Sequence, residues 1–308
     1  MRLAAVDLGS NSTRLLIADL DDEGRIHELA RRATVTRLGH GVERTGRLDP
    51  AAVDRVVDEL VVIRELLDRH EVERTVGVLT SAVRDAEDGA ALLATVRDRF
   101  GIDARTIPGE REAQLTFQGA TSGRPDDGRP VAVVDVGGGS TEIAVGRAGA
   151  LDFRVSLQAG VVRQSERHVH HDPPEHEELT AMGDDVRAIL TAAVPEDVRA
   201  RVGTVIGVAG TATSCAAIAQ ELEPYDPTRV HGYPLTLAEI EEQLARLAQM
   251  TEAERRTVPG LHPDRAPTIV AGCVLLATAL RAFDVRRCEV SEQDILEGAL
   301  IAVITGDW

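Results

Sequence analysis

The stretch VAVVDVGGGSTEIAVG, residues 131–146, decides the fold of this chain. Apolar residues run into an aspartate, three glycines, two hydroxyl residues and a glutamate, after which apolar residues resume. This order predicts two strands joined by a tight turn. Glycine tolerates positive φ and lets backbone amides approach an anion closely, so the turn suits a phosphate group. Asp135 and Glu142 flank the turn, and carboxylates are ligands that Mg²⁺ prefers.

The same pattern occurs once more, near the start of the chain. Residues 4–16, AAVDLGSNSTRLL, align with residues 132–144, AVVDVGGGSTEIA, at a constant shift of 128 positions. Two hairpins with one plan indicate two similar domains, although two unrelated hairpins with the same turn chemistry are the alternative. The predicted phosphate-binding turns consist of Gly9, Ser10, Asn11 and Ser12, and of Gly137, Gly138, Gly139 and Ser140. If the two domains present these turns to each other, the cleft between them suits a polyphosphate.

Composition narrows the class of protein. A chain of 308 residues with 43% hydrophobic residues can bury a large core, and its length favours two domains. Strands that alternate with helices indicate an α/β fold. The formal net charge of −17 argues against a nucleic-acid partner, because such proteins need a basic surface. An anionic substrate would therefore be held by a local site.

Targeting features point to a cytoplasmic enzyme. No apolar run approaches the length needed to span a bilayer, so no membrane partner is expected. The chain passes from Met1 and Arg2 directly into a predicted strand, which leaves no room for a signal peptide. The sequence leaves the oligomeric state open, with a homodimer as one option.

Two further segments have the character of anion sites. Arg84 follows a predicted buried strand, residues 75–79, in a loop with two hydroxyl residues, and a guanidinium offers paired donors that match phosphate oxygens. A solvated arginine paired with Asp85 is the structural alternative. Gly210 and Thr211 lie between a predicted strand and a helix, which makes this turn a candidate for a nucleotide or another anion.

A candidate general base lies at the start of a helix predicted to begin near residue 109. Glu110 and Glu112 both fall in its first turn, where a carboxylate often does no more than complement the helix dipole. A hydrolase nevertheless needs a base, and this helix directly precedes the second hairpin. Residues alone do not decide between the two glutamates.

Two other groups are expected to be structural. The segment 166–178, ERHVHHDPPEHEE, contains four histidines, but its spacing fits no standard ligand set and two prolines interrupt it. A helix end followed by a linker is therefore preferred over a metal site. Single cysteines in apolar surroundings favour buried thiols. They are Cys215, Cys273 and Cys288.

With these pieces in order, the chain resembles the Ppx/GppA phosphatase family of the actin, hexokinase and Hsp70 superfamily. The matching motifs cover nearly the whole chain in the family's order, and the short length resembles two-domain actinobacterial members. The motifs are DLGSNSTRLL from Asp7, TSAVRDA from Thr80, IPGEREA from Ile107, VVDVGGGSTE from Val133, GVAGTAT from Gly207, HPDRAPTIVAG from His262 and VSEQDILEGAL from Val290.

The resemblance implies an α/β fold with two duplicated actin-like, ribonuclease H-like domains and a cleft between them. The first domain is expected to span residues 1–124 and the second residues 125–308. The last helix, at about residues 293–308, is expected to pack back on the first domain.

The resemblance also assigns roles to single residues. Glu112, directly before alanine in the GxxEA pattern, is implied to orient and deprotonate the attacking water. Asp135 and Glu142 are implied to bind Mg²⁺ or Mn²⁺, and Arg84 with the two turns to bind phosphate. One departure is visible: many relatives carry GLREG where this chain has DILEG, so Leu296 replaces an arginine. The substitution puts chain-length preference and partner contacts in doubt.

The function implied is exopolyphosphatase, with inorganic polyphosphate as substrate. The nearest alternative is a 5′-phosphohydrolase of pppGpp, the alarmone of the stringent response, and the motifs do not separate the two. An ATP-dependent small-molecule kinase and a non-catalytic sensor of polyphosphate or alarmone are further alternatives. The base in the GxxEA loop suits water better than an acceptor alcohol, and the three acidic residues together argue against a sensor.

Overall fold

The computed structural model describes residues 1–21, 25–126, 128–147 and 149–308. The chain divides into two compact units, of which the first is Met1–Gly119 with Asp294–Trp308 and the second is Ala120–Gln293. The first unit thus ends at Gly119, five residues before the boundary expected from the sequence, within the last turn of a helix that ends at Thr121.

The secondary structure alternates strands and helices along the chain. Up to residue 121 the elements are β1 (Arg2–Leu8), β2 (Ser12–Leu20), β3 (Ile26–Val35), α1 (Val42–Thr45), α2 (Pro50–Arg69), β4 (Arg74–Leu79), α3 (Ser81–Asp85), α4 (Gly89–Phe100), β5 (Asp103–Thr106) and α5 (Gly109–Thr121). Then follow β6 (Val131–Val136), β7 (Thr141–Arg147), β8 (Ala150–Leu157), α6 (Val161–His168), α7 (His176–Ala193), α8 (Glu196–Ala200), β9 (Thr204–Val208), α9 (Ala209–Ala219), α10 (Pro227–Val230), β10 (Pro234–Thr236), α11 (Leu237–Leu247), α12 (Glu252–Arg255), α13 (Ile269–Ala282), β11 (Arg287–Val290) and α14 (Ile295–Thr305).

The first unit contains a five-stranded sheet in the order β3-β2-β1-β4-β5. Strands β1 to β3 are antiparallel neighbours, while β4 and β5 continue the sheet in parallel. Helix α2 begins at an aspartate–proline pair typical of a helix start, with the Asp49 side chain accepting a hydrogen bond from the Ala51 amide and Pro50 at the first helical position. Its buried face carries Val56, Leu60, Ile63 and Leu67. Each such fully buried side chain contributes about 1.5–3 kcal/mol.

Helix α14 packs on this first sheet. Leu296, Ala299 and Leu300 form an apolar cluster with side chains of β1, β2 and β4. Leu296, the residue that replaces an arginine of many relatives, is only 1% exposed. The leucine at this position therefore belongs to the core of the first unit.

Helices α5 and α14 cross at two glycines. A Cβ atom at Gly119 would lie 1.8 Å from the Asp294 carbonyl oxygen, and one at Gly298 would lie 1.9 Å from the Leu115 carbonyl oxygen. No side chain fits at such a backbone contact. The two glycines therefore fix how closely the last helix approaches α5.

The second unit repeats the plan in a six-stranded sheet ordered β10-β11-β9-β6-β7-β8. Its antiparallel meander β6-β7-β8 and parallel neighbour β9 correspond to β1-β2-β3 and β4. The registers agree as well, since Asp7 lies opposite Arg14 and Asp135 lies opposite Glu142. The predicted α/β fold with a duplicated hairpin is confirmed.

The histidine-rich segment is a helix end followed by a linker, as the sequence predicts. Helix α6 ends at His168 and α7 begins at His176. The His171 imidazole lies 2.9 Å from the Glu178 carboxylate, which also accepts hydrogen bonds from two backbone amides. Burial opposes ionisation of Glu178, but these hydrogen bonds lower its pKa to about 2. The carboxylate serves as part of the cap of α7.

The three cysteines are buried free thiols, as expected. Burial raises the pKa of Cys288 to about 12, which disfavours the reactive thiolate. In the part of the chain that the structure describes, no helix combines the length and apolarity needed to cross a membrane.

Candidate functional sites of the two units

The first predicted turn, residues 9–12, is fixed from behind by its carbonyl groups. The Ser10 carbonyl accepts from the Gly39 amide at 2.7 Å, and the Asn11 carbonyl accepts from the Thr36 amide at 3.0 Å. In a trans peptide the carbonyl and the following N–H point in opposite directions. The amides of residues 11 and 12 therefore point away from the segment behind the turn, which is the arrangement an anion needs.

The second predicted turn, residues 137–140, is held by the start of α6. The carbonyls of residues 137 and 138 accept from the Val161 and Val162 amides at 2.9 and 2.8 Å. The carbonyl of residue 139 accepts from Arg163 Nε at 2.9 Å. By the same peptide geometry, the amides of residues 138–140 point to the opposite side. Both turns thus have the backbone polarity of a phosphate cradle.

Tight backbone contacts support each turn. A Cβ atom at Gly160 would lie 2.3 Å from the Gly138 carbonyl oxygen, and one at Gly39 would lie 2.8 Å from Ser10 Cβ. Gly39, Gly160 and Arg163 are not among the site residues predicted from the sequence. A glycine directly before a helix is a weak signal of close approach. For Arg163 the sequence carries no local signal.

The structure brings Glu112 and Arg84 together in the first unit. Arg84 Nη1 donates to Glu112 Oε2 at 3.1 Å and to the Ile107 carbonyl at 3.0 Å, while its Nε lies 3.9 Å from Asp85 Oδ1. The principal partner of Arg84 is therefore the candidate base, and Asp85 is secondary. Glu112 is 8% exposed, whereas Glu110 is exposed to solvent. Burial thus distinguishes two glutamates that the sequence left equivalent.

The helix that carries Arg84 is tied to the first turn. The Ser10 hydroxyl accepts a hydrogen bond from the Ala82 amide at 3.0 Å. The Arg84 amide continues α3 by donating to the Thr80 carbonyl at 2.9 Å. Arg84 and the turn therefore belong to one hydrogen-bonded assembly within the first unit.

Asp135 and Glu142 lie opposite each other on β6 and β7, and both are buried, with 6% and 2% exposure. Directly opposed residues of an antiparallel pair share one face, and two carboxylates there repel each other. Ser156 Oγ donates to Glu142 at 2.6 Å and offsets part of that repulsion. The described residues contain no group of three or more His, Cys, Asp or Glu suited to a metal. One or two carboxylates completed by water and phosphate are, however, the usual protein share of an Mg²⁺ site, so this pair fits the ion.

The corresponding pair of the first hairpin has opposite charges. Arg14 Nη2 lies 2.7 Å from Asp7 Oδ2, and Arg14 also pairs with Asp294. Burial raises the pKa of Asp7 although the Arg14 charge opposes the shift. The residue opposite the strand aspartate is therefore a cation in the first unit and a carboxylate, Glu142, in the second.

Gly210 and Thr211 have structural contacts in the second unit. Thr211 Oγ1 donates to the Val136 carbonyl at 3.1 Å, which ties α9 to the strand before the second turn. A Cβ atom at Gly210 would lie 1.7 Å from Arg265 Nη1, so a guanidinium covers this glycine. Binding of a nucleotide or anion at this turn stays a prediction.

Each of the two α/β units carries a phosphate-compatible turn at the end of its first strand, and this repeat defines a phosphate-handling protein of the actin-like class. The Ppx/GppA phosphatase family model matches residues 16–305, and the chain belongs to this family.

Named relatives agree with this assignment. The chain is 36% identical, over 98% of both sequences, to exopolyphosphatase 2 of Mycobacterium tuberculosis. Its fold is similar to the crystal structure of the Ppx/GppA family member of Aquifex aeolicus, with a TM-score of 0.82, 31% identity, and coverage of 100% of this chain and 98% of that one. An exopolyphosphatase structure from Cytophaga hutchinsonii gives a TM-score of 0.91 at 27% identity and covers 99% of this chain and 98% of that one.

The contact at Gly160 predicts that Gly160→Ala destabilises the protein. The added methyl would lie 2.3 Å from a backbone oxygen, so α6 and the turn must separate, at an overpacking cost of about 1–3 kcal/mol. The free energy of unfolding in urea measures this cost. Gly183→Ala is the matched control, because its nearest foreign atom is a valine methyl at 3.8 Å and alanine favours a helix. Equal unfolding free energies for Gly160→Ala and the wild type would show that the close approach does not exist in solution.

Proposed function

We propose that this protein is an exopolyphosphatase, a metal-dependent hydrolase that releases terminal orthophosphate from linear inorganic polyphosphate. Water attacks the terminal phosphorus, the phosphoanhydride bond to the next phosphate breaks, and the products are orthophosphate and a chain shorter by one unit. The observation that carries the proposal is the buried Glu112 carboxylate held by Arg84 in a unit whose turn presents backbone amides. The relatives named exopolyphosphatase support the choice of substrate.

Glu112 is the general base of this proposal. Its carboxylate would accept a proton from water as the oxygen attacks phosphorus, a role that contributes about 10²- to 10⁴-fold to a rate. The neighbouring guanidinium holds the carboxylate in place through a contact of 3.1 Å. Its buried position also limits competition from bulk water.

Substrate binding is assigned to local donors. With a net charge of −17 the protein as a whole repels a polyanion, so affinity has to come from oriented amides and guanidinium groups at short range. The outward amides of residues 11–12 and 138–140 and the Arg84 guanidinium supply such donors.

Asp135 and Glu142 are the residues proposed to hold Mg²⁺ or Mn²⁺. Such an ion, when bound, neutralises charge on phosphate oxygens and polarises the phosphoryl group. In this protein the two carboxylates are fixed by strand pairing and by the Ser156 hydroxyl before any ion binds. A cation would also remove the repulsion between them.

The alternative substrate pppGpp carries the same kind of bond. The site residues do not exclude it, but the named relatives favour polyphosphate. A kinase or a non-catalytic sensor has no specific observation in its favour. A homodimer and a cytoplasmic location also stay predictions.

Phosphate release from four substrates in parallel tests the proposal. Purified protein is assayed with long-chain polyphosphate, short-chain polyphosphate, pppGpp and ATP at saturating Mg²⁺. We expect the highest kcat/KM with polyphosphate. A higher kcat/KM with pppGpp would assign the alarmone instead, and phosphate transfer to a small acceptor with no release would assign a kinase.

Replacement of Glu112 by glutamine tests the base. The amide keeps the size of the side chain but cannot accept the proton, so we expect phosphate release to fall by about 10²- to 10⁴-fold while polyphosphate still binds. The exposed neighbour provides the control, and Glu110→Gln should retain most activity. A greater loss in Glu110→Gln would transfer the role of base to that residue.

Replacement of Asp135 by asparagine tests the metal site. A neutral amide binds a divalent ion more weakly, so the Mg²⁺ concentration for half-maximal activity should rise. Loss of a residue that only supports a metal ligand already costs about 10- to 100-fold in metal affinity, and we expect at least this effect. Asp184→Asn, at an exposed position of α7, serves as control. An unchanged Mg²⁺ titration in Asp135→Asn would remove Asp135 from the metal site.

A further inference from the structure

We propose that Arg84, to which the family resemblance already assigns phosphate binding, is also a positioning residue for the base: one end of its guanidinium orients Glu112 while the other end binds a phosphoryl oxygen of the same substrate. This inference rests on the proposed function. It adds that recognition of the phosphate and orientation of the base are performed by one rigid group.

The Nη1 end is fully engaged within the protein. This nitrogen has two hydrogens, and it contacts two acceptors, Glu112 Oε2 at 3.1 Å and the Ile107 carbonyl at 3.0 Å. The Ile107 carbonyl is itself well placed, because the Ile107 amide donates to the Leu79 carbonyl at the end of β4. Nη1 is thus held between the sheet and the carboxylate, and it has no hydrogen left for a substrate.

The Nη2 end is different. It is buried, and among the residues that the structure describes it has no hydrogen-bond partner. An unsatisfied buried donor costs about 1–3 kcal/mol, more for a charged group, so its presence calls for an explanation. Because a guanidinium is planar, the contacts of Nη1 also fix the direction of the Nη2 hydrogens. A phosphoryl oxygen is the acceptor that the proposed reaction supplies.

A second arginine–glutamate pair in the same unit shows the arrangement expected of a purely structural contact. Arg32 engages Glu59 through two nitrogens and both carboxylate oxygens, in the paired geometry that gives the strongest such contact. Glu59 is 5% exposed, close to the 8% of Glu112. Arg84 gives only one nitrogen to its glutamate and keeps the other out of the pair. The difference indicates that Arg84 has a further partner during function.

The two roles predict separate kinetic effects. Loss of the contact to Glu112 leaves the base misaligned and lowers kcat, whereas loss of the contact to phosphate raises KM. A misplacement of about 1 Å can cost on the order of 10²-fold in rate. If Arg84 acts on kcat only through Glu112, its effect on kcat disappears once the carboxylate is gone, while its effect on KM persists.

A double-mutant cycle measures these effects. The variants are Arg84→Ala, Glu112→Gln and the combination, with kcat and KM for polyphosphate determined at saturating Mg²⁺. We expect Arg84→Ala to lower kcat by about 10- to 100-fold in the wild-type background and by less than about 2-fold in the Glu112→Gln background. KM should rise in both backgrounds.

Controls separate positioning from folding. Arg32→Ala should lower the free energy of unfolding, since it leaves the buried Glu59 without its partner, but should leave kcat and KM unchanged. Arg84→Lys keeps the charge without the planar fork, and we expect it to recover part of the KM defect and little of the kcat defect. Should Arg84→Ala fail to fold, Arg84→Lys replaces it in the cycle.

The outcomes are distinct. Equal loss of kcat from Arg84→Ala in both backgrounds, or a change of KM alone, would refute the positioning role while the exopolyphosphatase activity stands. Full activity of Glu112→Gln on polyphosphate would overturn the proposed base and the inference together.

Discussion

The two turns depend on one constraint, which is the direction in which their peptide groups point. The carbonyls on the inner side of each turn are committed to backbone amides, from residues 36–39 in the first unit and from the start of α6 in the second. Since each peptide is planar, the outward amides of residues 11, 12, 138 and 139 follow from these backbone contacts, and the amide of residue 140 follows from the contact of the Arg163 side chain with the preceding carbonyl. The glycines at 39 and 160 are required for the same reason, because a side chain there would push the supporting backbone away.

The two hairpins have the same geometry but carry different side chains at one position. The position opposite the strand aspartate is Arg14 in one unit and Glu142 in the other, at the same register. One change of charge sign converts a self-neutralised pair into two carboxylates that benefit from a cation. The first unit carries instead the buried Glu112 and its partner Arg84. The residues proposed as metal ligands therefore lie in the second unit, and the residue proposed as the base lies in the first.

The sequence predicted what local patterns determine. Strand ends, turn residues, the start of α2 and the repeat at 128 positions all depend on neighbours along the chain. Residue patterns alone did not choose between Glu110 and Glu112, because the two differ in burial, and only the family resemblance favoured Glu112. The partner of Arg84 could not be found, because the two residues are 28 positions apart. The compact first unit ends at Gly119, before the expected boundary at residue 124, and the contact of Gly119 with the backbone of Asp294 joins segments far apart in the chain.

Helix α14 shows why a change in a family motif need not disturb the site. Asp294 caps its start and Glu297 lies in its first turn. Both are buried, and they pair with Arg14 and Arg31 of the first sheet. Burial raises the pKa of Glu297 although the Arg31 charge opposes the shift, so an unpaired carboxylate there would be costly. Leu296 fills the apolar cluster between these charges. Arg14 also binds Asp7 beside the first turn, so the helix end, the sheet and the turn form one connected structure. In this structure the leucine contributes packing, and the neighbouring acids maintain the ionic contacts.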